Sequence, residues 1–510
     1  MNIAILAAEV APWSKTGGLG DVCGALPGVL AALGHRVLTV SPRYKEYADA
    51  DDTGVRTYIH LFGQRHEVRY FVARTPAPEA VAGDAPVGDA PAGIAAPGEV
   101  RHVFVDHPSF RRGGIYGDAH GSYGDNLFRF ALLSRAGIEA AALVPVFRPA
   151  PGTADLAPLG EDVVFHVNDW HTSLVPLYLD AIYRPAGHFR RAGTVLGIHN
   201  AGHQGAFAAH QFAGLDVSSR WWPHTDMNGH LNLLKTGVVL ADRVVAVSPN
   251  YAREICGELG FGLGHLFASR GRELLGIVNG VGEEWNPATD PQIAAPFSAE
   301  DLSGKLACKR ALQAELGLPA RDVPLLALIA RLDPQKGVDL LMEILPWLMT
   351  QDVQLVILGS GSAALEQQMR EMEWNHRDKA RGWVGYNEGL AHRMEAGADL
   401  FLMPSRFEPC GLNQIYSLRY GTVPVVHATG GLADTVETLD PSRDRGTGWA
   451  FRSFSAGAFM DAMGWALLTW WRFPDEWRAM QRRGMTQDWT WTRSARAYER
   501  VYAEVLGLRG

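Results

Sequence analysis

The stretch WSKTGGLGDV, residues 13–22, stands between an apolar run and a helical stripe, and that placement sets the architecture of the whole chain. Before it, MNIAILAAEV puts Ile3, Ile5 and Leu6 in a buried strand; after it, Val22, Ala25, Leu26, Val29, Leu30 and Leu33 recur at helical spacing. Strand, glycine loop and helix in that order form an α/β junction, where backbone N–H groups and the positive end of a helix converge and suit an anion. Lys15 precedes the glycines instead of following them. A Walker loop ends in Gly-Lys-Ser/Thr and the dinucleotide fingerprint is Gly-x-Gly-x-x-Gly, so neither describes this loop.

The same arrangement returns at residue 324, where PLLALIA is an apolar run, RLDPQKG a turn and VDLLMEILPWL a helical stripe. Short apolar runs follow at VQLVILG, RGWVGY, DLFLMP and VPVVHA, and the first half offers RVLTVSP, VVFHVND, TVLGIHN and RVVAVSP. Alternating strands and helices predict an α/β protein with two doubly wound parallel sheets. The first lobe is expected over 1–273 and the second over 274–488, with the join near RGRELLGIVNGV. A closing helix is expected over 489–510, where Tyr498, Val501, Tyr502, Val505 and Leu506 lie at helical spacing. Residues 76–100, PAPEAVAGDAPVGDAPAGIAAPGEV, are nearly all Ala, Pro and Gly and read as a flexible insertion in the first lobe.

Composition narrows the function classes. The 510 residues are 47% hydrophobic, enough for large cores. A net charge of −8 carries no basic excess of the kind that recommends nucleic acid or an anionic membrane surface. No stretch reaches the roughly 18 apolar residues of a membrane span. Cys23, Cys256, Cys308 and Cys410 are scattered without Cys-x-x-Cys spacing, which fits a reducing compartment; the expectation is a cytoplasmic protein.

In open α/β sheets ligands sit beyond the carboxyl ends of the strands. The residues there are polar: Lys15 and Asp21; His166, Asn168, Asp169 and His171 in FHVNDWH; His199 and Asn200 in GIHN; Arg331 and Lys336 in ARLDPQKG; Glu408 and Cys410 in PSRFEPCGL; Thr429, Gly430 and Gly431 opening a further helix. Lys15, Arg331 and Lys336 are each ordinary as solvated loop cations. Together, all following strands in two lobes, they predict focused positive charge in one cleft, with the TGGLADTVE helix start adding to it. His166, Asp169 and His171 are weighed as a metal cluster and set aside for hydrogen-bonded roles, because strand-end positions do not ensure convergence and no second ligand group is evident. Glu408, between Phe407 and Pro409, is placed to contact bound hydroxyls. Residues 359–364, GSGSAA, match Gly-x-Gly-x-x-Ala and raise a dinucleotide-dependent dehydrogenase as a competitor. The acid required at the end of the next strand is missing, since that strand reads RGWVGYNEG with Glu388 beyond it.

Taken in order, KTGGLGDV, NDWH, HN, VNGV, ARLDPQKG and PSRFEPCGLNQ with TGGLADTV resemble the bacterial glycogen synthase and plant starch synthase family over nearly the whole chain. The resemblance implies two Rossmann-like lobes facing across a deep cleft, a glycosyltransferase of GT-B type, with the last helix returning to the first lobe. It implies transfer of glucose from ADP-glucose to the non-reducing end of an α-1,4-glucan such as glycogen, with retention of configuration and with no metal or organic cofactor. It places Lys15 on donor or product phosphate, the backbone of Gly17, Gly18 and Gly20 near the sugar, and Asp21 beside glucose or acceptor. His199 would hydrogen-bond the transferred glucosyl unit. Arg331 and Lys336 would grip the diphosphate, and Glu408 would bind sugar hydroxyls with Cys410 and Gly411 in the same wall and Thr429 and Gly430 alongside. Asn279 would approach the glucose from the second lobe, and Tyr116 falls where a family tyrosine stacks on adenine. The chain departs from the family pattern at Gly282, where Asp is common after NGV, at Asn168, where His is common, and at His203, where Tyr is common. Competing readings are another nucleotide-sugar glycosyltransferase of the same fold, a glucan-binding or regulatory protein without transfer activity, and a phosphorylase dependent on pyridoxal phosphate.

Overall fold

Parallel strands covered on both faces are buried along their whole length, which is why the apolar runs of this chain locate them so directly. The computed structural model describes residues 1–78, 98–148 and 155–509. It divides the chain into two units: 1–247, 252–277 and 491–510 form the first, and 248–251 with 278–490 form the second.

The first unit is built on a nine-stranded sheet. Its order is Leu274–Gly276, Arg243–Ala246, Gly193–Ile198, Val164–Asn168, Asn2–Leu6, Arg36–Pro42, Glu99–Asp106, Gln64–Pro76, Asp51–Leu61. The first seven run parallel, and the last two join through antiparallel pairings, so that Gln64–Pro76 alone runs against the rest. Strand order reverses at Asn2–Leu6, which pairs with Arg36–Pro42 on one side and Val164–Asn168 on the other. A crevice therefore opens beyond Leu6 and Asn168, the topological switch point of the sheet.

Four features differ from the sequence expectation. The antiparallel pair Asp51–Leu61 and Gln64–Pro76 extends the parallel sheet. Its two-residue turn puts Phe62 at φ +53° and Gly63 at +69°, and its inward residues Thr57, Ile59 and Leu61 alternate with exposed Tyr58 and His60. The join lies at 277/278 instead of 273/274, because Leu274–Gly276 is still a strand of the first sheet, paired with Arg243–Ala246. The second unit likewise runs to 490 rather than 488. Finally, Pro76 pairs with Glu99 and the Ala77 amide donates to the Gly98 carbonyl at 2.7 Å, so both ends of the expected insertion belong to the sheet. Residues 79–97 of that insertion lie outside the described residues.

The last helix, Trp491–Arg509, packs in the first unit. Trp491, Ala495, Tyr498, Val501, Tyr502 and Val505 join the core of Ile3, Ile5, Val22, Leu26 and Leu30. Tyr502 and His166 Nδ1 share a hydrogen bond at 2.8 Å, and Arg509 Nη2 reaches Asp242 at 2.6 Å.

The second unit holds a six-stranded, all-parallel sheet in the order Ala380–Val384, Gln354–Gly359, Leu325–Ile329, Leu400–Met403, Val423–His427, Trp449–Phe451. Its order reverses between Leu325–Ile329 and Leu400–Met403, so its switch point lies beyond Ile329 and Met403. Leu326, Leu328, Leu355 and Ile357 pack against Leu341, Ile344, Phe459 and Met463 from flanking helices. No helix among the described residues is long and apolar enough to cross a membrane.

Candidate active site

At the switch point of the first unit the organising residue is Glu9, which the sequence reading passed over. Its side chain is nearly buried, at 3% exposure, and accepts from the Thr16 and Gly17 amides, from Thr16 Oγ1 at 2.7 Å and from the Tyr116 hydroxyl. One carboxylate thus ties the segment between strand and helix into a fixed shape. That segment is longer than the sequence suggested: the strand ends at Leu6 and the helix runs from Gly18 to Ala32, so Gly18 and Gly20 lie in its first turn and Gly17 is its N-cap. A Cβ placed on Gly17 or Gly18 would meet nothing within 4 Å, so the protein's own packing does not require glycine there. Gly20 differs: its Cβ position lies 3.2 Å from Lys15 Cβ, where the lysine stem crosses. Lys15 Nζ and Asp21 Oδ1 pair at 2.6 Å with both side chains over a third exposed.

Asn168 ends its strand fully buried. Its Nδ2 donates to the Leu6 carbonyl at 3.1 Å, which turns Oδ1 toward His199 Nε2 at 2.9 Å. Gly197 leaves the room for this contact, since a Cβ there would lie 2.8 Å from Asn168 Oδ1. Asp169, at φ +50°, accepts the backbone amides of His199 at 2.7 Å and Asn200 at 3.4 Å. Burial pushes the Asp169 carboxyl up to about 7 and the His199 imidazole down to about 4, so His199 is neutral at pH 7. His171 is likewise held neutral by desolvation, and its ring stacks on Tyr116 at 4.8 Å. Tyr116 therefore has its hydroxyl on Glu9 and one ring face on His171, which leaves at most its other face for a base. His166 turns away to Tyr502, and no group of three His, Cys, Asp or Glu side chains able to hold a metal exists among the described residues.

At the switch point of the second unit, Lys336 Nζ and Glu408 Oε2 pair at 2.6 Å. The same carboxylate oxygen accepts from Ser405 Oγ at 3.2 Å. Two loops make this meeting possible. Gly337, at φ +66°, lies so close to the Pro404 carbonyl that a Cβ would overlap it, and Gln335 Nε2 donates to the Phe407 carbonyl at 3.2 Å. Lys336, Ser405, Glu408, Gly411 and Asn413 line a pocket whose floor is Leu328, Ile329, Leu402 and Met403. Arg331, next in sequence to the lining residue Ala330, does not itself line the pocket; it is largely exposed and paired with Asp333 Oδ2 at 3.0 Å.

Thr429, Gly430 and Gly431 open the helix Gly430–Thr435 as expected, but its first amides are not left for a ligand: the Gly431 N–H is shared by the Glu408 and Pro409 carbonyls at 3.0 and 3.1 Å. A Cβ on Gly430 or Gly431 would overlap the backbone of 408–410, so these glycines serve close packing. Gly411, at φ +69°, abuts Gln414 in the same loop. Burial raises the Cys410 thiol to about 12, which removes it as a nucleophile. Asn279 is buried, and its Oδ1 has no hydrogen-bond partner among the described residues. The GSGSAA segment does form a strand, loop and helix, but Glu366 Oε1 accepts the Gly361 amide at 3.0 Å, so a carboxylate already takes that loop N–H.

Residues 2–269 match the family model described as starch synthase catalytic domain. The chain belongs to the starch synthase family. Residues 313–483 match the family described as glycosyl transferases group 1, so the protein is a glycosyltransferase with Rossmann-like units of the GT-B fold. It is 44% identical to starch synthase 1 of Arabidopsis thaliana over 99% of this chain and 77% of that protein. It is 46% identical to starch synthase 2 of the same plant, over 98% of this chain and 61% of that one. The catalytic domain of starch synthase IV from Arabidopsis thaliana, solved bound to ADP and acarbose, superposes with a TM-score of 0.82 at 29% identity over 99% of both chains. A sucrose-phosphate synthase from Thermosynechococcus elongatus, at 16% identity and TM-score 0.56, shares the fold.

Proposed function

We propose that this starch synthase family member is a glycogen synthase: it transfers glucose from ADP-glucose to the non-reducing end of an α-1,4-glucan with retention of configuration, in the cytoplasm. The observation that carries the reading is the Lys336–Glu408 pair in a pocket at the switch point of the second unit. An ammonium there suits the diphosphate of a nucleotide sugar, and the carboxylate beside it suits sugar hydroxyls. The structurally similar starch synthase IV domain, bound to ADP and acarbose, supports a nucleotide-sugar donor and a glucan acceptor.

The chemistry follows from charge. A leaving diphosphate held by cations needs little protonation, so Lys336 and Arg331 lower the barrier by meeting charge as it develops. A short-lived oxocarbenium-like sugar then forms, and the departing phosphate takes the acceptor's proton. His199, neutral and with Nε2 engaged, offers its Nδ1 lone pair to a sugar hydroxyl. Asn279 and its unmet Oδ1 and the Glu408 carboxylate supply further acceptors for hydroxyl groups. Asp21 in the first helical turn faces glucose or acceptor.

The test is a side-by-side rate measurement with ADP-glucose and UDP-glucose on glycogen. Glucan-dependent release of ADP, with product chains extended by α-1,4-linked glucose, is expected. ADP release without glucan, or a clear preference for UDP-glucose, overturns the assignment.

A further inference from the structure

The helix Ala456–Arg472 buries one face in the core of the second unit, through Phe459, Ala462, Met463, Ala466 and Leu467. Its other face carries Asp461, Gly464, Trp465, Leu468, Trp471 and Arg472, which at the helical period fall within about a third of the circumference. The solvent side of a surface helix is normally polar. Here Trp465 is 62% exposed, Leu468 42% and Trp471 46%, and Phe473 at the C-cap is 55% exposed. The Trp471 ring is held edge-on to Trp470 at 4.6 Å, so the apolar surface is fixed in place.

The row of side chains is self-complementary. Asp461, Trp465, Leu468 and Arg472 are separated by four, three and four residues, a spacing that reads the same from either end. If the same helix of a second copy lies antiparallel about a twofold axis between Ala466 and Leu467, Trp465 comes level with Leu468 of that copy and Asp461 with its Arg472. Asp461 and Arg472 are both exposed, and neither takes part in an ion pair among the described residues. Asp475, three residues beyond Arg472, is turned to Arg478 at 3.4 Å. The twofold arrangement therefore gives each charge an opposite partner, twice over.

Gly464 points the same way. Glycine inside a helix costs about 0.5–1 kcal/mol against alanine. A Cβ there would meet nothing within 4 Å, so the chain's own packing does not require glycine, whereas close approach of a second helix backbone makes use of it. Area agrees: the exposed parts of the three aromatics and Leu468 amount to about 450 Å² per copy. A standard interface of roughly 800 Å² per partner, about 65% of it apolar in homodimers, needs about 500 Å². A polyhydroxylated ligand fits less well, because between Asp461 and Arg472 the face offers only two indole N–H groups for hydrogen bonds.

We propose that the protein forms a twofold dimer through this face, the helix Ala456–Arg472 packing antiparallel against the same helix of a second copy, with Trp465 on Leu468 and Asp461 paired with Arg472 across the axis.

The test is analytical ultracentrifugation of the full-length protein from about 1 to 100 µM, where a dimer dissociates by mass action. The parent is expected to reach twice the chain mass. Trp465→Ala/Leu468→Ala, whose side chains are at the surface, should keep the parent's circular dichroism and sediment as a single chain. Asp461→Arg and Arg472→Asp should each raise the dissociation constant roughly tenfold or more by setting like charges across the axis, and the double variant Asp461→Arg/Arg472→Asp should return it to within about threefold of the parent. Contacts within one chain would not produce that restoration. A parent of single-chain mass throughout, a dimer that Trp465→Ala/Leu468→Ala leaves intact, or a charge swap that restores nothing overturns the proposal. So does loss of glycogen retention on native gels in Trp465→Ala/Leu468→Ala at unchanged mass, which would make this face a glucan surface instead.

Discussion

Asn168 fixes the tautomer of His199. Because Asn168 Nδ2 is committed to the Leu6 carbonyl, its Oδ1 must face His199 Nε2, so that nitrogen carries the proton and Nδ1 is the acceptor. Asn168→Asp keeps the shape and places a carboxylate 2.9 Å from the ring. The imidazolium is then favoured, and the acid limb of the kcat/KM profile, set by a group held at about 4, should move up by about 1–3 pH units. A profile identical to the parent's would place His199 outside the reaction.

Lys336 and Glu408 should behave as a unit. Loss of a fixed cation from a closed site costs on the order of 2–4 kcal/mol, so Lys336→Ala should lower kcat roughly 30- to 1000-fold. Removing the lysine also strands the Glu408 carboxylate, and the double variant Lys336→Ala/Glu408→Ala should therefore be less impaired than the product of the single effects. Additive losses would mean that the two act apart.

Gly18 separates binding from folding. Nothing lies within 4 Å of its Cβ position and it is helical, so Gly18→Ala should leave the melting temperature unchanged or raise it, by up to about 1 kcal/mol of stability. If donor sugar approaches the loop here, KM for ADP-glucose should rise at least tenfold. An unimpaired Gly18→Ala enzyme would remove the glycine loop from the donor site. Glu9→Gln should fail by another route: an amide cannot accept all the donors that Glu9 now serves, so thermal stability and donor affinity should fall together.

Asp169 makes stability depend on pH. Its carboxyl is held at about 7 in the folded protein against about 3.9 in an unfolded chain, so the folded state binds the extra proton between those values. The associated stability is full below about pH 4 and is lost as pH rises toward 7. Asp169→Asn still accepts the His199 amide but does not ionise, so it should melt a few degrees higher than the parent at pH 8 and about equally at pH 4. A Tm difference that is the same at both pH values would contradict this account.

The sequence showed where the polar residues would stand, because a fully buried parallel strand is a bare apolar run: RVLTVSP coincides with Arg36–Pro42, and VQLVILG contains Gln354–Gly359. It hid the hairpin, since strands exposed on one face read as mixed and the Phe62–Gly63 turn lacks the usual Asn-Gly. It also hid Leu274–Gly276, three residues whose identity as a strand comes only from Arg243–Ala246 beside them. Within the site, positions were legible and partnerships were not. Nothing local says that Lys336 will meet a carboxylate 72 residues away, that Glu9 rather than a cation organises the glycine loop, or that the glycines of TGGLADTV exist to pack against 408–410. The useful distinction between the two glycine clusters, one facing open space and one facing backbone, is visible only in three dimensions.

The return of Trp491–Arg509 to the first unit fixes the order in which this protein can be finished. A ribosome delivers residues 1–277 before the helix that covers their sheet. At about 5–20 residues per second, the cover arrives on the order of ten to forty seconds later. For that interval the nascent first unit carries His166 without the Tyr502 hydroxyl, and Ile3, Ile5 and Val22 without the aromatic and aliphatic face that shields them. The second unit, contained between residues 278 and 490 apart from four residues, has no such debt and can close first. Vectorial synthesis thus makes the N-terminal half of the sequence the last part of the protein to reach its native state.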